Sequence, residues 1–253
     1  MVQDTLPDAI RRLPPGWRGQ FFADVASTQD VARAAAKAGA PSRSIFVADF
    51  QSAGRGRQGR SWLARPGTAL MLSMLLRQSG EPRPWRSTAL MSVALVEALE
   101  AVLPDLAGVA IKWPNDVLID GRKVAGVLAE STSNGAESTV IVGIGLNVLA
   151  TREDLAEMPS PATSVALASG AEIDRGVLLL ELVGRVDEWL TKPEAELQTT
   201  WQGRLWGRGQ RARLADVDLD EEVVILGATL DGALRVRLAD GRELSTTTGE
   251  LML

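Results

Sequence analysis

The 253-residue sequence contains no cysteine, no histidine and no tyrosine. Without cysteine there is neither a disulfide framework nor a thiolate nucleophile. Without histidine, a Ser-His-Asp triad and a histidine-ligated metal are both excluded. The remaining reactive groups are carboxylates, ammonium and guanidinium groups, hydroxyls, amides and the backbone. This set suits positioning and charge stabilisation, as in transfer reactions at phosphorus.

Long apolar runs and an excess of positive charge are also missing. No stretch approaches the roughly 18 to 20 apolar residues of a membrane-spanning helix, and residues 1–15 lack the basic-then-apolar order of a signal peptide. We therefore expect a cytoplasmic protein with no membrane partner. The formal net charge is −5, whereas nucleic-acid-binding domains are usually basic, so we expect no nucleic-acid partner.

Lysine is scarce, because only Lys37, Lys112, Lys123 and Lys192 occur and every other basic residue is arginine. Lys112 and Lys123 lie eleven residues apart in one short motif. A lysine kept in such a chain indicates a need for a compact ammonium group. On this count alone, chance is an equally good interpretation.

Apolar periodicity predicts strands and helices interspersed within residues 1–204, which is an α+β composition. After Trp206 the character changes to short alternating segments with turns at Asp231-Gly232 and Asp240-Gly241, and no helix is indicated. This pattern predicts a small all-β barrel over residues 205–253. The predicted strands of the first part are 21–25, 44–50, 69–76, 109–112, 117–119, 123–130 and 139–148; the predicted helices start at Ser27-Thr28, Pro84 and Val177.

The loop Gly54-Arg55-Gly56-Arg57-Gln58-Gly59-Arg60 is rich in glycine and arginine. Glycines let the backbone approach a ligand closely, successive N–H groups can form a concave anion site, and arginines supply paired donors for phosphate or carboxylate. The Gly-Lys-Ser/Thr ending of a Walker loop is missing. The loop therefore favours anion binding, with a solvated loop or an RNA contact as the alternatives.

A second motif comprises Lys112-Trp113-Pro114-Asn115-Asp116 and then Arg122-Lys123-Val124-Ala125-Gly126. The first part follows an apolar strand, and the second opens the return strand of a hairpin around Asp120-Gly121. Strand alternation predicts that Lys123 and Ala125 share one face of the sheet. A plain polar turn is the alternative interpretation, because proline, asparagine and aspartate are ordinary turn residues.

Two weaker signals lie at the ends of elements. Ser27, Thr28 and Gln29 open a helix, where hydroxyls either cap the helix or bind a polar ligand. The segment Gly143-Ile144-Gly145-Leu146-Asn147 ends a strand, where glycines indicate close approach of a ligand or merely tight packing.

Taken together, in this order and spacing, these segments resemble the biotin protein ligase family from about Phe21 to Asn147. The resemblance implies an α+β catalytic domain, in which a mixed β-sheet is flanked by helices, followed by a small SH3-like barrel. It also implies an enzyme that activates biotin with ATP and Mg²⁺ as biotinyl-AMP. The biotin is then transferred to a lysine of the biotin carboxyl carrier protein or domain of acetyl-CoA carboxylase. Members of the family are monomers or homodimers.

The resemblance also assigns roles to residues. Lys123 and Arg57 are implied to be catalytic, at the junction of the biotin carboxylate and the α-phosphate. Asp116, the nearest carboxylate in the motif, is our candidate for the catalytic group that acts on the carrier amine. No protein metal ligand is implied. The implied ligand-binding residues are Ser27, Thr28, Gln29, Gln51, Gly54, Arg55, Gly56, Arg57, Trp62, Lys112, Asn115, Lys123, Gly126, Gly143 and Asn147.

The sequence departs from the family pattern at several places. Gln29 stands where members commonly have asparagine, and 151–162 has no aromatic residue to stack on adenine. The N-terminal part is too short for the winged-helix DNA-binding domain of the repressor-type members, so we expect no transcriptional control. The rival hypotheses are lipoate ligation, a nucleic-acid-binding module and a catalytically inactive regulator.

Overall fold

A computed structural model describes residues 6–133, 137–156, 158–215 and 221–252. The helices are α1 (Leu6–Arg11), α2 (Thr28–Lys37), α3 (Pro84–Val102), α4 (Val165–Ser169), α5 (Arg175–Thr191) and α6 (Glu194–Gly203). The strands are β1 (Arg18–Val25), β2 (Ser44–Gln51), β3 (Ala69–Ser79), β4 (Val109–Lys112), β5 (Asp116–Ile119), β6 (Arg122–Ser133), β7 (Glu137–Asn147), β8 (Arg211–Ala215), β9 (Val223–Ala228), β10 (Leu234–Arg237), β11 (Glu243–Thr246) and β12 (Glu250–Met252).

The first seven strands form one mixed sheet in the order β1-β2-β3-β7-β6-β5-β4. β1 and β2 run parallel because α2 carries the chain from one end of the sheet back to the other. Each remaining pair of neighbours is antiparallel. Helices flank this sheet, so the predicted α+β class is confirmed.

The two faces of the sheet differ in what covers them. Along β3, Leu70, Leu72 and Met74 point into the main core, which also contains the buried side chains of α3 and α5. Met71 and Ser73 point to the opposite face, as the two-residue period of a strand requires. There α2 packs against β2, β3 and β7. The rest of that face is therefore left for the candidate site.

The second sheet is antiparallel, with the strand order β11-β10-β9-β8-β12, and it agrees with the predicted small β-domain. It docks beside the turn that joins β4 to β5, where the buried Trp113 donates a hydrogen bond from Nε1 to the Gly232 carbonyl (3.0 Å). Leu205 still pairs with Ile111 at the edge of the first sheet. The division into two domains at residue 205 stays a prediction.

Some features were not foreseen. The short helices α1, α4 and α6 carry no strong apolar periodicity and were missed. The prediction that Lys123 and Ala125 share a face is wrong. Leu118 pairs with Lys123 and Val117 with Ala125, so Val124 is an extra residue in a β-bulge. The bulge turns Ala125 into the main core and leaves Lys123 on the face that carries the site.

No helix in the described part of the chain is long and apolar enough to cross a membrane.

Candidate active site

A cavity of about 680 Å³ opens on the sheet face that α2 leaves uncovered. Its walls come from the start of α2, the glycine-arginine loop, strands β3, β6 and β7, the 112–116 turn, residues 158–160 and the start of β12. Five cationic side chains and only two carboxylates stand among its described lining residues: Arg55, Arg57, Arg60, Lys112 and Lys123 against Asp116 and Glu250. The excess of positive charge suits an anionic ligand.

One end of the cavity is a buried network of hydroxyls and amides. The Gln51 Oε1 atom accepts hydrogen bonds from the Thr28 backbone N–H (2.7 Å) and the Thr28 hydroxyl (3.0 Å). Ser73 Oγ lies 2.9 Å from Thr28 Oγ1 and donates to Gln29 Oε1 at 2.9 Å. Ser27 caps α2 by accepting from the Gln29 N–H. Such a network offers both donors and acceptors to the polar head of a small ligand.

An indole ring lies against the glycines of the floor. A Cβ atom at Gly145 would lie 2.3 Å from the Trp62 ring, and one at Gly126 would lie 3.4 Å from it. The glycine at 145 therefore makes room for Trp62, which is 9% exposed and presents an apolar wall. Its Nε1 atom has no hydrogen-bond partner among the residues that the structure describes.

Lys123 and Asp116 form an ion pair at the middle of the cavity. Lys123 Nζ lies 2.7 Å from Asp116 Oδ1, although the angle departs from that of a good hydrogen bond, so the contact is mainly one of charge. The same ammonium lies 5.8 Å from the centroid of the Trp62 ring. A carboxylate and an aromatic face thus hold one cation above the glycine floor.

Arg57 reaches the same region from the glycine-arginine loop. Its Nη1 atom donates to Asn115 Oδ1 at 3.1 Å, and Asn115 is itself fixed by donating from Nδ2 to the Val127 carbonyl at 2.8 Å. Burial lowers the pKa of the Arg57 guanidinium, and the nearby Asp116 carboxylate opposes this effect. Asn115 and Asp116 are neighbours in sequence, so Arg57 and Lys123 converge on one part of the cavity.

The loop is tied down on both sides. Gly56 N–H donates to the Arg60 carbonyl at 2.7 Å, which closes the loop on itself. Arg55 pairs with Asp30 of α2 at 2.8 Å. Asp30 also pairs with Arg33, which reaches Glu130 on β6 at 2.5 Å. The loop therefore lies over the cavity.

The second sheet contributes a carboxylate to the cavity rim. Glu250 lies 3.3 Å from Lys112 Nζ through Oε1 and 3.2 Å from Arg60 Nη1 through Oε2. Burial opposes ionisation of Glu250. The charge of Lys112 and the hydrogen bonds from Lys112 and Arg60 outweigh it and lower the pKa of this carboxyl.

Most of the predicted site residues line this one cavity: Ser27, Thr28, Gln29, Gln51, Arg55, Gly56, Arg57, Trp62, Lys112, Asn115, Asp116, Lys123, Gly126 and Gly143. Two do not. Gly54 lies at the base of the loop, where its carbonyl accepts from the Trp62 N–H and a Cβ would meet the Trp62 carbonyl at 2.3 Å. Asn147 is buried and donates to the Thr163 carbonyl at 3.2 Å. Both therefore support neighbouring segments rather than face the cavity.

Two residues of the site were missed from the sequence. Ser73 is a single hydroxyl in the apolar run of β3, and that polar break was a usable signal. Glu250 had no local signal, because only the docking of the second sheet brings it to Lys112 and Arg60. No group of three or more acidic side chains that could hold a metal ion occurs within the described residues.

Comparisons with known proteins agree with this geometry. Residues 22–147 match the model of the biotin/lipoate A/B protein ligase family. The chain is 31% identical to the biotin--[acetyl-CoA-carboxylase] ligase of Mycobacterium tuberculosis, over 98% of this chain and 94% of that protein. It is 34% identical to the bifunctional ligase/repressor BirA of Bacillus spizizenii, over 85% of this chain and 71% of that protein.

A solved structure of a biotin protein ligase also resembles this chain. The biotin protein ligase of Aquifex aeolicus, in complex with biotin and ATP, superposes with a TM-score of 0.76 at 28% identity, covering 92% of this chain and 97% of that one. The chain therefore belongs to the biotin/lipoate A/B protein ligase family and, within it, to the biotin protein ligases.

Proposed function

We propose that this protein activates biotin with ATP to biotinyl-5′-AMP and then transfers biotin to a lysine of the biotin carboxyl carrier domain of a carboxylase. The observation that carries the proposal is a single cavity with a buried hydroxyl-amide network at one end and five cations beside it. Because the reaction consumes ATP, we also propose that the enzyme acts in the cytoplasm.

Biotin would enter with its fused rings toward the buried network. Thr28, Gln29, Gln51 and Ser73 offer paired donors and acceptors for a cyclic urea, and Trp62 supplies an apolar wall for the ring and chain. The carboxylate would then point toward Lys123. A neutral polar head thus meets neutral polar groups, and the charged end meets the cations.

In the first half-reaction a carboxylate oxygen of biotin attacks the α-phosphorus of ATP, and the bond to pyrophosphate breaks. No protein nucleophile is needed, which agrees with the absence of cysteine and histidine. Lys123 and Arg57 hold two anions in contact and stabilise the charge that builds on the phosphoryl oxygens. Asp116 and Asn115 hold these two cations in place.

Magnesium fits this site as a companion of the nucleotide. Asp116 and Glu250 are the only carboxylates among the described lining residues, and each already pairs with a lysine. The described residues therefore offer no dedicated metal cage, and phosphate oxygens together with water would supply most of the ligands of Mg²⁺. The metal would screen the charge of the polyphosphate.

In the second half-reaction the carrier lysine attacks the acyl carbon of the adenylate, and AMP leaves. Asp116 is the nearest carboxylate and would accept or orient the proton of the incoming ammonium. We expect Asp116→Asn to slow transfer from preformed biotinyl-AMP about 100-fold, the lower end of the usual contribution of a general base. Single-turnover transfer to a carrier domain measures this rate.

The matched control is Asp105→Asn, which changes an exposed carboxylate outside the cavity. Adenylation should be measured in the same preparations. If Asp116→Asn slows adenylation as much as transfer, Asp116 only positions Lys123, and its role as a base is wrong.

Gly145 gives a test of the floor of the cavity. In Gly145→Ala the new methyl group would overlap the Trp62 ring and push it from its place, since close-packed side chains tolerate little extra volume. We expect biotin to bind at least about tenfold more weakly, a loss of about 1.4 kcal/mol, as measured by calorimetric titration.

Gly184→Ala is the control, because a Cβ atom there, inside α5, has open space. It should leave biotin affinity unchanged. Equal affinities of the Gly145→Ala variant and the parent protein would contradict the placement of biotin against Trp62.

The proposed activity is tested by transfer of labelled biotin to a purified carboxylase carrier domain, with and without ATP. Lipoate and a lipoate-accepting domain serve as the comparison, because the family model covers both kinds of ligase. We expect ATP-dependent labelling with biotin alone. Labelling with lipoate alone would overturn the proposal.

A further inference from the structure

Glu250 is a carboxylate at the rim of the cavity. Its two carboxylate oxygens divide between two cations, Oε1 toward Lys112 and Oε2 toward Arg60. Lys112 pairs with Asp116 in the register of β4 and β5, so this cluster adjoins the reaction centre. Arg60 ends the glycine-arginine loop. A single anion from the second sheet therefore bridges two separate walls of the cavity.

The cluster is one of several contacts that join the second sheet to the rest of the chain. The buried Trp113 donates to the Gly232 carbonyl, and the partly buried Gln198 donates to the Ala228 carbonyl at 2.6 Å. The Arg60 side chain is 56% exposed and that of Glu250 31% exposed. Ion pairs with this much solvent contribute little to stability, at most about 1 kcal/mol.

We propose that Glu250 is a positioning residue that substitutes for the outer phosphates of ATP in the empty enzyme. It holds Lys112 and Arg60 in place and yields them to the β- and γ-phosphates when the nucleotide binds. After the α-phosphorus has been attacked, the same carboxylate competes with pyrophosphate for the two cations and favours its departure. This inference rests on the proposed ligase function.

The signs of the charges support competition between Glu250 and the phosphate groups. A phosphate oxygen and the Glu250 carboxylate cannot both lie near the same two cations without repelling each other. Removal of the carboxylate charge should therefore strengthen phosphate binding, whereas loss of a purely structural tie would weaken it or leave it unchanged. Only competition between Glu250 and phosphate predicts tighter binding after the charge is removed.

The test is Glu250→Gln, which keeps the shape and removes the charge. Inorganic pyrophosphate is titrated calorimetrically into the full chain with Mg²⁺, and steady-state adenylation gives KM values for ATP and biotin. We expect pyrophosphate to bind about threefold to tenfold more tightly and KM for ATP to fall by a similar factor. KM for biotin should stay constant.

Glu243→Gln is the matched control, because Glu243 also bridges two arginines, Arg235 and Arg237, on the second sheet but outside the cavity. It should change none of these constants. If Glu250→Gln does not fold, Glu250→Ala is titrated in its place with the same expectation.

Unchanged or weaker pyrophosphate binding in the Glu250 variant would overturn the inference. The pyrophosphate titration can be interpreted independently of the proposed function, because it requires no reaction of biotin. A parent protein that binds pyrophosphate but never adenylates biotin would refute the ligase proposal and leave this comparison valid.

Discussion

Replacement of Lys123 by alanine is expected to lower the rate of biotin adenylation about 100- to 1000-fold while the protein stays folded. The ammonium lies above the glycine floor, 2.7 Å from Asp116 and 5.8 Å from the centre of the Trp62 ring. Without it, charge that develops between the biotin carboxylate and the α-phosphate is left partly unbalanced. Its loss also leaves Asp116 as an uncompensated negative charge beside two anionic substrates.

Biotin-dependent exchange of labelled pyrophosphate into ATP measures this step without the carrier. Lys37→Ala is the control, since Lys37 is exposed at the end of α2 and lies outside the cavity. Circular dichroism and thermal melting should show that both variants are folded. An exchange rate within a few fold of the parent rate for Lys123→Ala would remove Lys123 from the mechanism.

Arg57→Gly is the second change with a large expected effect. The guanidinium ties the loop to Asn115 at 3.1 Å. In the proposed mechanism the ordered loop covers the adenylate and keeps water out. Glycine removes this tie and adds backbone freedom at the same point. We expect biotinyl-AMP to dissociate about 100-fold faster or more, and lysines of unrelated proteins to become biotinylated.

Adenylate release is followed by mixing the preformed enzyme–adenylate complex with an excess of unlabelled biotin and ATP. Arg242→Gly, in a turn of the second sheet, is a matched loss of an exposed loop arginine. Retention of the adenylate by the Arg57 variant at the parental rate would show that this side chain does not close the loop.

The sequence predicted which segments form the site better than it predicted how their side chains are arranged in space. The order of the glycine-arginine loop, the Lys112–Asp116 turn and the Lys123 hairpin was readable because each is a local signal. Convergence of Arg57 and Lys123 followed only from the family resemblance. The structure shows both side chains in one cavity, each held by a residue of the Asn115-Asp116 pair.

Several features of the site could not be predicted from the sequence, because they depend on pairing or docking between segments. The bulge at Val124 breaks the alternation of β6, so Lys123 and Ala125 face opposite sides of the sheet. No residue type in that stretch predicts a bulge. Glu250 lies 138 residues after Lys112 in the sequence, yet it contacts Lys112 at the cavity. Asn147 and Gly54 were placed at the ligand by likeness, but their hydrogen bonds and packing lie behind the walls of the cavity.

A crystal structure with a non-hydrolysable analogue of biotinyl-AMP tests the central claim most directly. We predict that Lys123 Nζ and the Arg57 guanidinium both lie within hydrogen-bonding distance of the group that links the acyl chain to the phosphate. The biotin rings should lie among Thr28, Gln51 and Ser73. An analogue bound with either cation turned into a separate cavity, under an ordered loop, would contradict the account.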